Sequence, residues 1–363
     1  MLTRHLAWIR CPLCQSPDLE WRAWKNAAEG DVEEGAGLCR ACGEWFPIEG
    51  GVLDLLTGPL AYAAERAAFL ERNRAELAAL GCAMDVPPQP SLAADAATEQ
   101  ERLCRAQQQH SDWFAENTEL TYTDFAATPF WRAVDAIHFG EWRKAVRPGE
   151  ALLEAGCAQG RATFAFADLD LDIVGFDVSR KLVRQARARH LAGRAGQPWK
   201  ARMSFLLADA CAMPVRDGSF DDMLVYGVLH HVPDPAAACA EILRVLRAGG
   251  RFFGSENNVS AFRRVFDFLM RIAPLWKEEA GPEALIDEAR LRGWFAADVA
   301  AAASARIGTR VFLPPHLVNL FPDALAEPMV RLTDALGNAL PFFRKNGGLI
   351  HIALRKSGAD PRR

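Results

Sequence analysis

The chain has 363 residues, half of them hydrophobic, which is enough for two or three folded units with sizeable cores. A formal charge of −4 gives no overall electrostatic case for nucleic acid as a partner, and no apolar run reaches the ~18 residues needed to span a bilayer. Residues 1–10 carry Arg4 and Arg10 without an apolar stretch or a cleavage site, so a cytoplasmic location is expected, with local basic patches or peripheral membrane contact still compatible.

Nine cysteines suit reduced thiols and a metal better than a secreted disulfide framework, because four of them form doublets. Cys11-Pro12-Leu13-Cys14 and Cys39-Arg40-Ala41-Cys42 are two C-x-x-C knuckles. Each can grip one side of a tetrahedral ion, and four thiolates so spaced suit Zn²⁺ in a closed structural site. A segment this short needs the metal, because it cannot bury enough apolar surface alone. The flanks of the knuckles, with Trp45-Phe46-Pro47-Ile48 and Gly50-Gly51-Val52-Leu53-Asp54-Leu55-Leu56, resemble the zinc-ribbon activator proteins of methyltransferases. The arrangement is also similar to that of ribosomal RNA guanine methyltransferases, which begin with such a ribbon. Residues 1–58 hold nine acids against five bases, a poor surface for phosphates, so the ribbon reads as a packing or docking module.

Residues 59–98 form a helical linker: Gly58 to about Leu80 is rich in Ala, Leu, Glu and Arg, and residues 85–97 are polar and proline-bearing. Aromatics thicken from Glu99 to Trp142 on two or three expected helices, where core packing accounts for most of them.

Residues 151–177 read as strand, glycine turn, helix, strand, acid, which is one βαβ unit. The turn Gly156-Cys157-Ala158-Gln159-Gly160 keeps side chains small where backbone meets ligand, and Asp177 ends the second strand, where a carboxylate can accept both hydroxyls of a ribose. Ala158 stands at the middle glycine of the G-x-G-x-x-G pattern and no third glycine follows in register, so a nucleoside without a diphosphate fits better than a dinucleotide.

Glu154-Ala155-Gly156-Cys157-Ala158-Gln159-Gly160 resembles the first motif of class I S-adenosylmethionine (SAM) methyltransferases. Four further segments stand in that family's order: Val174–Ser179, Ala208–Ala210, Phe220–Val225 and Arg244–Gly250. The resemblance implies an α/β, Rossmann-like fold with a seven-stranded sheet whose last strand, Gly348 to Arg355, is antiparallel. It also implies SAM held by Glu154, Gly156, Ala158, Gly160, Asp177, Val178, Asp209, Ala210 and Tyr226, with Asp209 accepting the adenine amino group. N-terminal helices would lie over the cofactor, with Tyr122 and Trp113 offering an aromatic face to the sulfonium.

After Asp177, the arginine-rich helix Ser179 to Ala192 reads as a solvated face over the sheet. Phe220 to Tyr226 reads as the fourth strand, leading into a loop with His230 and His231 at the mouth where ligands of open α/β sheets collect. Either histidine suits a general base, and Glu256 beyond strand five (Arg251 to Ser255) is a further acid/base candidate. Asp234 and Pro235 should cap a helix running to Leu246 and ended by Gly249-Gly250. Val259 to Trp276 is an insertion over the substrate side, and Phe312 to Pro341 is expected to be helical with proline breaks.

The expected organisation is therefore a zinc ribbon over 1–58, a linker over 59–98, and a SAM-dependent methyltransferase domain over 99–363 with a helical cap and a lid at about 258–294. The expected reaction is O- or N-methylation of a small-molecule or glycan acceptor in biosynthesis. Two other readings are an RNA base methyltransferase and a non-catalytic SAM-binding or partner-activating protein.

Overall fold

The computed structural model describes residues 1–27, 30–85, 98–116, 128–194, 196, 199–275, 286–341 and 343–358. Tyr122, most of the polar linker and residues 276–285 of the expected lid lie outside them.

A short helix α1 (Thr3–Leu6) precedes four ribbon strands, β1 (Leu19–Asn26), β2 (Val32–Cys39), β3 (Trp45–Glu49) and β4 (Val52–Asp54), paired antiparallel in order. Helices α2 (Ala63–Arg72) and α3 (Arg74–Leu80) cover one ribbon face, burying Phe69, Leu70, Leu77 and Leu80 against Leu38 and Trp45. Then come α4 (Glu99–Glu116) and α5 (Pro129–Ala145), the latter capped by Thr128 accepting from the Trp131 N–H.

The α/β part follows as β5 (Ala151–Ala155), α6 (Arg161–Phe164), β6 (Asp172–Asp177), α7 (Arg180–Arg194), β7 (Arg202–Leu207), β8 (Phe220–Tyr226), α8 (Pro235–Val245) and β9 (Leu246–Asn257). The chain closes with α9 (Ala261–Ile272), α10 (Glu288–Trp294), α11 (Val299–Ser304), β10 (Arg306–Arg310), α12 (Pro315–Val318), α13 (Asp323–Ala339) and β11 (Leu349–Arg355). Strand β5 is buried at every position, as a parallel strand covered on both faces must be. Asp234 caps α8 by accepting from the Ala237 N–H at 3.0 Å.

The sheet has eleven strands, in the order β1-β2-β3-β4-β7-β6-β5-β8-β9-β11-β10, and this corrects the expected seven. The expected sheet is its β7-to-β10 portion, with β11 antiparallel to β9 and β10. The extra four, β1 to β4, belong to the segment expected to be a zinc ribbon: β4 pairs in parallel with β7, Val52 opposite Phe205, Leu53 opposite Leu206 and Asp54 opposite Leu207. An open β7 edge would leave backbone groups unpaired, and the ribbon covers it.

Two of the arginines of α7 are likewise not solvated, although Arg184 and Arg189 are exposed as expected. Arg180 and Arg187 are buried, Arg180 pairing with Glu49 and Asp54 and Arg187 with Asp31; Arg184 also reaches Glu49. The acids of the ribbon thus meet the bases of α7. His5 of α1 adds a buried contact, its ring nitrogens 2.8 Å from Ser204 Oγ and 2.9 Å from Asp172 Oδ1. Two boundaries also shift: α8 ends at Val245, and Gly249-Gly250 lie inside β9, where the pairing with β8 changes register between Phe220 and Asp222.

Candidate active site and metal centre

Four sulfurs come together at the tip of the ribbon. Cys11 Sγ lies 3.6 Å from Cys42 Sγ, Cys14 Sγ lies 3.5 Å from Cys39 Sγ, and all four lie within 4.8 Å of one another. Both knuckles turn alike: the Gln15 N–H donates to Cys11 O and the Gly43 N–H to Cys39 O, with φ of 60° and 79° at the two donors. A tetrahedral ion with metal–sulfur bonds of ~2.3 Å separates its ligands by slightly under 4 Å, so this donor set fits a closed four-thiolate site.

A cavity of about 750 Å³ opens beyond the carboxyl ends of β5, β6, β7, β8 and β9, within the range of small-molecule sites. Its floor is the glycine turn. Gly156 has φ +68°, and a Cβ there would come within 2.3 Å of Val228 Cγ2, so the loops after β5 and β8 touch only because this residue has no side chain. Ala158 adopts φ +44° and donates its N–H to Asp177 Oδ2 at 3.0 Å, while Asp177 Oδ1 accepts from the Ser179 N–H at 2.9 Å. Asp177 therefore ties the turn to the start of α7; burial raises its pKa. Asp209 lines the wall beyond β7 and accepts from the Cys211 N–H at 2.8 Å, its pKa also raised by burial.

Helix α4 forms the opposite wall with Cys104, His110, Trp113 and Phe114. It is pinned at the cofactor end of the sheet: Gln108 Nε2 donates to Leu60 O at 2.9 Å and Val178 O at 3.1 Å, and Asp112 accepts from the hydroxyls of Tyr62 at 2.8 Å and Ser179 at 2.6 Å.

The loop after β8 builds the reactive end. Glu256 is 1% exposed; its Oε1 accepts from the N–H groups of Val228 at 2.9 Å and Leu229 at 2.8 Å, and its Oε2 lies 2.7 Å from His230 Nδ1. His230 Nε2 lies 3.3 Å from Asn257 Nδ2, and the His231 ring is 3.9 Å from that of His230, centroid to centroid. The Glu256 oxygen at Nδ1 favours the His230 tautomer that carries its proton there, with Nε2 as the acceptor beside the Asn257 amide.

Of the expected site residues, Gly156, Ala158, Asp177, Val178, Asp209, Ala210, Tyr226, His230, His231 and Glu256 all line the cavity, and Trp113 does too. Glu154 and Gly160 are not in its wall. Gly160, with φ +86°, caps α6, and Glu154 lies under the turn, 2% exposed, accepting from Thr163 Oγ1. Burial pushes the Glu154 carboxyl up to about 8.

One cluster was missed. Asp135 on α5 receives Arg161 through Nε at 2.7 Å and Nη2 at 2.5 Å, and the Tyr226 hydroxyl at 2.9 Å. Arg161 lines the cavity, its guanidinium 5.1 Å from the Trp131 ring centre. Only its place directly after Gly160 could have drawn notice to Arg161; Asp135 carries no local signal.

The cavity fits SAM. Ser255 Oγ, buried in its wall, has no hydrogen-bond partner among the described residues, the Gly156 floor has no room for a side chain, and the carboxyl groups of Asp177 and Asp209 belong to its lining.

A family model described as a methyltransferase domain matches residues 153–254. The chain is 28% identical over 176 residues to demethylmenaquinone methyltransferase of Renibacterium salmoninarum, a match spanning 44% of this chain and 70% of that enzyme. It is 35% identical over 107 residues to 27-O-demethylrifamycin SV methyltransferase of Amycolatopsis mediterranei, spanning 29% of this chain and 38% of that enzyme. Among solved structures, it is similar to a chain from the complex between the Haloferax volcanii methyltransferase activator and a putative methyltransferase, at 18% identity and a TM-score of 0.41, covering 72% of this chain and 100% of that one.

Proposed function

We propose that this chain, which is a SAM-dependent methyltransferase, methylates a hydroxyl group on a small, largely apolar acceptor, with His230 as the general base. The observation that carries the reading is the buried Glu256–His230 pair in the cavity wall. The relative named for 27-O-demethylrifamycin SV supports methylation at oxygen, and the one named for demethylmenaquinone supports a small apolar acceptor.

SAM, when bound, supplies an electrophilic methyl group for in-line displacement. Asp177 and Asp209 would hold its ribose hydroxyls and adenine amine. A hydroxyl keeps its proton at neutral pH, so attack through oxygen benefits from its removal. His230 Nε2 would take that proton from the acceptor hydroxyl, and Glu256 would stabilise the resulting imidazolium through Nδ1–H. Glu256 already accepts three hydrogen bonds, which suits a positioning residue rather than a base. The aromatic and aliphatic walls exclude water from the transfer.

Cys11, Cys14, Cys39 and Cys42 would hold a structural Zn²⁺, closing the ribbon that covers the β7 edge. The RNA reading loses ground because Arg180, Arg184 and Arg187, the basic run nearest the ribbon, are spent on ribbon acids.

Calorimetry with SAM and its demethylated product tests the cofactor site: micromolar binding is expected, lost in Asp177→Ala. With a hydroxyl acceptor found by screening, His230→Ala should cut kcat at least about 10²-fold. Glu256→Gln should cut it less and shift the pH profile. Folded, metal-loaded protein that binds neither ligand would overturn the reading.

A further inference from the structure

Helix α9 carries one broad apolar arc, running from Phe268 through Ile272, Val265 and Leu269 to Phe262, Phe266 and Met270, with its charged residues together on the remaining side. At 100° per residue Phe262, Phe266 and Met270 fall on one stripe, and all three line the cavity. Val265, Phe268 and Ile272 form the outer edge of the arc, turned away from the cavity, and are 54%, 59% and 64% exposed. Arg264 and Arg271 border this outer edge on one side, next to Phe268; both are exposed, Arg271 also lines the cavity, and among the described residues neither has an ion pair. Beyond the helix end, His316 Nε2 lies 2.8 Å from Ala273 O, which brings the exposed Leu317 and Leu320 to the end that carries Ile272.

Covering the cavity needs only the inner edge. A large apolar outer edge held in water, bordered on one side by unpaired guanidinium groups, is the composition of a helix that lies in a lipid interface. The only acid on α9, Asp267, is taken by Arg263, so the helix is locally cationic on a chain whose net charge is −4. That charge matches an anionic lipid surface rather than a second copy of the same cationic stripe. We propose that α9 is an interfacial helix that seats the enzyme on an anionic lipid surface, with Val265, Phe268 and Ile272 inserted and Arg264 and Arg271 against lipid phosphates, so that the cavity mouth opens at the bilayer.

The test is flotation of the full, metal-loaded chain with vesicles of equal parts phosphatidylcholine and phosphatidylglycerol, and with vesicles of phosphatidylcholine alone. Binding to the anionic vesicles is expected, weaker on the neutral ones and weakened by salt. Arg264→Gln should lower it about fivefold, and the double variant Phe268→Ser, Ile272→Ser about tenfold or more. None of these three residues lines the cavity, so SAM titration of each variant reports folding separately from docking. Failure of SAM binding in the wild type would count against the methyltransferase reading and leave the docking result standing. Wild-type protein that stays with the aqueous fraction, or variants that float as well as wild type, would overturn the proposal. So would a wild-type dimer in sedimentation velocity that the double variant dissociates, since the stripe would then be a self-association face.

Discussion

Glu154→Gln separates a structural carboxyl from a ligand-binding one. Glu154 is 2% exposed, accepts from Thr163 Oγ1, and is pushed up to about 8 from an ordinary 4.5, chiefly by burial with a smaller contribution from Asp177. Between these two values the folded protein holds a proton that the unfolded chain has released. Stability contributed by this group is therefore complete below pH 4.5 and is lost as pH rises through about 8. One such proton is worth about 1.4 kcal/mol per pH unit while it stays bound and is half released at about pH 8, so from pH 6 to pH 8 the wild type should lose about 2 kcal/mol, order of magnitude, that the variant keeps. Glutamine copies the neutral acid and still accepts from Thr163, so at pH 6 the two should agree within about 1 kcal/mol. Urea unfolding followed by tryptophan fluorescence at both pH values measures the difference; other buried groups cancel in the comparison. Equal pH slopes for the two proteins would refute the assignment of a protonated, buried Glu154.

Three other changes probe the remaining architecture. Gly156→Ala forces a Cβ to within 2.3 Å of Val228 at φ +68°, so SAM affinity should fall more than about tenfold with roughly 1–3 kcal/mol of strain, read by calorimetry and thermal melting. Arg180→Met leaves the buried Asp54 and the partly buried Glu49 without their shared cation and should cost about 3 kcal/mol in chemical denaturation; a loss below about 1 kcal/mol would mean that this junction is already solvated. Chelation of the ribbon metal, or Cys39→Ser, should lower the melting temperature of the whole chain rather than of a separate transition, because β4 and β7 share one sheet. Metal analysis of the purified protein should give one zinc per chain.

Local chemistry was readable where one stretch of chain decides its own conformation. The β8 limits, the Asp234 cap, the left-handed glycines 156 and 160 and the pairing of knuckles into a four-sulfur cluster all follow from period, turn chemistry and spacing. The motif order likewise placed Asp177, Asp209, His230 and Glu256 at the ends of neighbouring strands. Distant meetings carried no such signal. Nothing local in Val52–Asp54 says that it will pair with Phe205–Leu207, and nothing in α7 says that Arg180 and Arg187 face Asp31, Glu49 and Asp54 rather than water. A charge pattern reads the same on an exposed helix and on one facing a complementary partner, so only the packed fold distinguishes them. The same holds for Glu256, whose role depends on His230 and two backbone amides reaching it from the loop after β8, and for Arg161, which acquires its place from Asp135 on another helix. Periodicity and turn residues determined the elements and the order of the cofactor motifs; which charges are buried together, and how far the sheet extends, were decided by tertiary pairing, because those energies depend on neighbours that only folding supplies.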